Sequence, residues 1–138
     1  MSSMWVFDIQ TTIYSKARAI LLSQLKSKYN DLYVTEDNAT PTKPKFPTVY
    51  INFIGAPERG QTIENTTINA VELTAEVHVK VTTAQGITVN QEVAWAVVDA
   101  FKSMGFNVTL PNMAISDIDG VYESVARFSR IIGNGDSI

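Results

Sequence analysis

Apolar and polar positions alternate along this chain in two distinct rhythms. Between residues 8 and 29, Ile9, Ile13, Ala17, Ile20, Leu21 and Leu25 recur at steps of three and four. That period predicts an amphipathic helix over 8–29, with Asp8 as N-cap, lysines in the last turns and Asn30-Asp31 as the stop. From 68 to 83 the period falls to two. Val71, Leu73, Ala75, Val77, Val79 and Val81 share one parity, and Glu72, Thr74, Glu76, His78, Lys80 and Thr82 share the other. Strict alternation over this length predicts a long strand with one buried and one polar face. A second helix is expected over 88–104, from Val89, Val93, Val97, Ala100, Phe101 and Met104, with Gly105 just past its end.

The other elements are shorter. Strands are expected at 32–34, 48–54 and 106–110, the last ended by Pro111, and a final strand over 121–132. Between them fall an extended loop at 35–45 with Pro41 and Pro44, a break from Gly55 to Gly60 that continues to Thr67, and a loop at 112–120. Trp5 and Phe7 precede the first helix and read as a hydrophobic staple upon it, or as an arm docking on a neighbour. The economical assembly is a single α+β domain over 1–138, a mostly antiparallel sheet with both helices packed on one face. The 35–45 loop is expected to be mobile, and the Gly-Asn-Gly tail flexible.

Composition narrows the chemistry. The 138 residues include no cysteine and one histidine, so disulfides, thiol catalysis and zinc-finger sites are excluded. Eleven basic against fourteen acidic residues give a net charge of −3, which argues against a sequence-reading nucleic-acid binder. At 45% hydrophobic and 18% charged, the chain is sparing in charge for a free monomer. No apolar run has membrane length, and the first eight residues lack a leader's basic stretch, so synthesis in the cytoplasm is expected.

No constellation assembles into an active site. His78 lies mid-strand on the polar parity and reads as a solvated or interface residue. Asp117-Ile-Asp-Gly120 begins like a calcium loop, but Tyr122 and Phe128 stand where glycine and a bidentate glutamate are required. Gly55-Ala-Pro-Glu-Arg-Gly60 is neither a P-loop nor a dinucleotide fingerprint; it presents Glu58 and Arg59, as a connector or a contact loop. On the last strand Arg127 and Ser129 share one face, Phe128 and Arg130 the other. The natural use of the two arginines is pairing across a subunit boundary with Glu58, Glu64, Glu72 or Glu76. No catalytic, cofactor-binding or metal-binding residue is assigned.

Several stretches together resemble a family. They are Pro47-Thr-Val-Tyr-Ile-Asn-Phe53, Gly55-Ala-Pro-Glu-Arg-Gly-Gln61, Glu64-Asn-Thr-Thr-Ile-Asn-Ala70, Met104-Gly-Phe106 and the run from Tyr122 to Asp136. The set is similar to small tail-terminator, or tail-completion, proteins of long-tailed bacteriophages, a group often labelled minor capsid protein. The resemblance implies an α+β domain without enzymatic activity or cofactor. It implies a homo-oligomeric ring, commonly a hexamer, at the head-proximal end of the tail tube in the virion. Such a ring ends tube polymerisation, joins the head–tail connector and lets DNA through without specific binding; an acidic lumen would repel phosphate. The alternatives are a head-completion or connector-adaptor neck protein, and a small-ligand regulatory domain using His78.

Overall fold

The computed structural model describes residues 3–36, 45–60, 67–118 and 120–138. Among them are two helices, α1 (Trp5–Leu25) and α2 (Gly86–Ser103). Six strands form one sheet: β1 (Tyr33–Thr35), β2 (Thr48–Gly55), β3 (Glu58–Arg59), β4 (Ala70–Thr82), β5 (Asn107–Ile118) and β6 (Val121–Gly133). Their order is β1-β2-β4-β6-β5, with β3 taking up beside β4 where β2 leaves it. Only β1–β2 is parallel, so the fold is α+β on a mostly antiparallel sheet, as expected.

The odd row of β4 is buried from Val71 to Val81. Cross-strand partners share a face in an antiparallel pair, so Val49 and Ile51 of β2 and Ala126 and Phe128 of β6 join it. Ile13, Ala17, Leu21 and Leu25 of α1 and Val93, Val97 and Phe101 of α2 complete the same core. Both helices therefore cover one face. Phe101 stacks on Phe128 (centroids 4.7 Å apart, planes within 7°) and meets Phe106 edge-on at 5.2 Å. Asn90, wholly buried on α2, donates Nδ2–H to the Val79 carbonyl at 3.0 Å and ties the helix to the central strand.

Several expectations are corrected. The first helix starts at Trp5, not after Asp8, and ends at Leu25. Trp5 and Ile9, both packed against the core, extend the Ile13–Ala17–Leu21–Leu25 ladder backwards at four-residue steps. Trp5 and Phe7 are thus helical residues and not a staple ahead of the helix, and Asp8 sits in the first turn, where a carboxylate complements the dipole. Lys26 and Lys28 lie beyond the helix; Lys28 and Tyr29 instead reach Glu92 of α2, at 2.8 Å and 3.0 Å.

The stretch expected as a loop at 112–120 is strand as far as Ile118. Pro111 does not end β5. The strand lies at the sheet's edge, and the register slips between Leu110 and Met113, so a missing N–H is tolerated there. Gly120, at φ +77°, then leads into β6. The break at 55–60 also contains the short β3.

The segment after β6, expected to be flexible, is held to the body. Asn134 N–H donates to the Asn69 carbonyl, Gly133 N–H to Asp136 Oδ2, and Arg130 Nη2 to the Ser137 carbonyl. Of the expected mobile loop, positions 37–44 lie outside the described residues. Among the described residues, no helix is long and apolar enough to cross a membrane.

Candidate interaction surface

Among the described residues, no helix covers the sheet's second face. Its central row is Glu72, Thr74, Glu76, His78, Lys80 and Thr82 of β4. The register sets Ile131, Ser129, Arg127, Val125, Glu123 and Val121 of β6 opposite them. Thr48, Tyr50 and Asn52 of β2 flank the row on one side, and Leu110 and Met113 of β5 extend it on the other.

At its centre is a bonded network. His78 Nδ1 lies 2.6 Å from Glu123 Oε2, and Nε2 lies 2.7 Å from Glu76 Oε1. Arg127 Nε donates to the second oxygen of Glu76 at 2.7 Å. The Tyr50 ring stands beside the imidazole at 5.7 Å. His78, Glu76 and Glu123 are each less than one-fifth exposed at the side chain. The hydrogen bond from His78, followed by that from Arg127, holds the Glu76 carboxyl below its ordinary pKa against the opposing pull of burial.

An ionised carboxylate only accepts, so both contacts are satisfied when each ring nitrogen carries a proton. While they stand, neither nitrogen has a lone pair to offer a substrate or a metal. Among the described residues, no group of His, Asp and Glu side chains is arranged to hold a metal ion.

Away from the centre, Arg59 Nη2 donates to Glu72 Oε1 at 2.6 Å and its Nη1 to the Glu58 carbonyl at 3.0 Å. This pair is solvent-screened and contributes at most about 1 kcal/mol. Ile131 beside Glu72 and Met113 beside Val125 are more than half exposed. The face thus alternates intrachain charge pairs with uncovered apolar side chains.

The residues singled out from sequence are distributed unequally. Glu72, Glu76, His78 and Arg127 meet on this face; on β3, Arg59 registers with Ala70 of the same row, whereas Glu58 registers with Val71 of the buried row. Glu64 lies outside the described residues. Arg127, expected to seek a carboxylate across a subunit boundary, takes Glu76 of its own chain.

Arg130 is on the opposite face. It pairs in register with Leu73, donates Nη1–H to the Met104 carbonyl at 2.6 Å, and overlies Gly105. There it satisfies a carbonyl left open at the C-terminus of α2. Gly105 has φ +82°, and a Cβ there would stand 3.4 Å from the guanidinium.

Glu123 and Lys80 were not singled out from sequence. Their parity marks them as outward-facing. The β4–β6 register that brings Glu123 within reach of His78 is set by no connecting turn, because α2 and β5 intervene. The chain matches no family model, and no curated protein is similar to it at a significant level.

Proposed function

We propose that this chain is a structural subunit of the tail-terminator type, forming a homo-oligomeric ring that closes the tail tube of a long-tailed phage and receives the head connector. The observation that carries the reading is the open sheet face. Covering a charge is costly unless it is already paired and hydrogen-bonded. Glu76, His78, Glu123 and Arg127 are paired within the chain, so a neighbour covering these four strands no charge, while Lys80 in the same row calls for an acceptor from that neighbour.

Ile131 and Met113 supply apolar contact on the same face. A ring requires a heterologous interface, in which this face meets a different patch of the next copy and the rotation closes. The resemblance over the C-terminal stretch supports the same reading, with a location in the virion as part of the proposal.

The test is assembly. Light scattering and negative-stain microscopy of the purified chain, with and without tail-tube protein, should show rings or capped tubes, and Ile131→Asp should reduce both while leaving the fold intact. A strictly monomeric protein that never caps tubes refutes the proposal. In infected cells, deleting the gene should give tails of uncontrolled length. Normal-length tails beside defective heads would transfer the chain to the head side of the neck.

A further inference from the structure

The central network of the open face contains two cross-strand acid–base pairs in direct register, Glu76 opposite Arg127 and Lys80 opposite Glu123. Only the first is made. Glu123 passes over its direct partner and reaches diagonally to His78 at 2.6 Å, although direct antiparallel neighbours lie closer than diagonal ones. Among the described residues, Lys80 has neither an ion pair nor a side-chain hydrogen bond.

We propose that Glu123 is a two-position carboxylate, held by His78 while the ring carries both protons and passing to Lys80 when the ring gives one up. The inference rests on the chain's own geometry and is independent of ring assembly.

The argument turns on what each carboxylate gains by letting go. With both nitrogens protonated, the ring donates to Glu76 and to Glu123. With one proton lost, a nitrogen lone pair faces a carboxylate oxygen, and one contact must open. Glu76 already holds Arg127, so leaving the ring brings it no new cation. Glu123 has Lys80 directly across the strand pair. Opening at Nδ1 exchanges one charge-assisted bond for another, whereas opening at Nε2 only loses one. The proton therefore stays on Nε2, facing Glu76, and Glu123 moves.

Among the described residues, the charged and titratable groups facing His78 are all part of this account. They are Glu76 and Lys80 on β4, Glu123 and Arg127 on β6, and Tyr50 on β2, with both helices on the other face. The exchange changes what a partner meets: a free ammonium at Lys80 in one state, a neutral pair in the other.

His78 is the only histidine in the chain, so its ring gives one set of NMR signals. The full-length protein is followed from about pH 5 to 8, the interval in which imidazoles change charge. Long-range proton–nitrogen spectra report the tautomer, and lysine ammonium spectra report the exchange rate of Lys80 relative to exposed Lys102. At the upper end the ring should be the Nε2–H tautomer, and Lys80 should exchange several-fold more slowly, relative to Lys102, than at the lower end. Glu123→Gln should abolish that slowing. An Nδ1–H tautomer, absence of any ring titration step, or equal relative Lys80 rates in wild type and Glu123→Gln would overturn the proposal. Should the variant fail to fold, the wild-type tautomer alone decides.

Discussion

Replacing each of the two arginines of β6 by methionine separates the two faces of the sheet. Met keeps most of the aliphatic stem and removes the charge. At position 130 the change deletes a charge-assisted bond to the Met104 carbonyl, a second to the Ser137 carbonyl, and a cation at the C-terminus of α2. A hydrogen bond from a charged donor contributes about 1.5–3 kcal/mol, and the helix-end interaction about 0.3–1 kcal/mol. The Ser137 bond is exposed, so most of the loss comes from Met104 and the helix end. The expected destabilisation is about 2–3 kcal/mol, or roughly 6–12 °C in Tm for a domain of this size.

At position 127 the lost partner is a carboxylate that His78 still holds, and the guanidinium is nearly half exposed. The expected loss there is about 0.2–1 kcal/mol. Urea unfolding followed by circular dichroism gives both numbers from one experiment. If Arg127→Met costs as much as Arg130→Met, or if Arg130→Met leaves the midpoint unmoved, the assignment of Arg130 to the fold is wrong.

Phe128→Ala should cost about 3–5 kcal/mol, because the ring is wholly buried and stacked on Phe101, while Phe128→Leu should cost well under half of that; denaturant titration compares them. Asn90→Leu should destabilise by about 1–3 kcal/mol through loss of the bond to Val79, despite a similar branched shape and added hydrophobicity; a neutral or stabilised variant would show that bond to be idle. The Glu76 carboxyl has a folded pKa below its unfolded one, so its stabilisation is complete above about pH 4.5 and is lost as pH falls through the folded value. Unfolding free energies measured from pH 7 down to 3 should fall less steeply for Glu76→Gln than for wild type.

The elements that sequence revealed are those whose burial is periodic and one-sided. The β4 alternation appears unchanged as the buried row from Val71 to Val81, because a central strand with one covered face leaves no freedom of parity. The second helix is delimited by Gly105, whose positive φ only glycine adopts without strain. The far half of β5 was not legible. Its pairing with β6 slips three times, so no clean period survives, and Pro111 reads as a stop unless the strand is known to be at an edge. The charge network was half legible: parity marks the outward side chains, but β4 and β6 pair without a connecting turn to set their register. Which acid meets which base is decided by tertiary packing.

The strand order has a temporal side. Val77 pairs with Ala126, and β4 cannot gain its β6 neighbour until some fifty further residues exist. At a synthesis rate of about 5–20 residues per second, that interval is roughly 3–10 s. During it, six apolar side chains on one parity and one whole row of backbone donors and acceptors stand open beside the nascent β2–β4 pair. Meanwhile α2 follows β4 immediately in the chain and can lie over the apolar row before β6 arrives. The buried Asn90, which fastens that helix to the Val79 carbonyl, thereby belongs to the protection of a growing chain as well as to the finished domain.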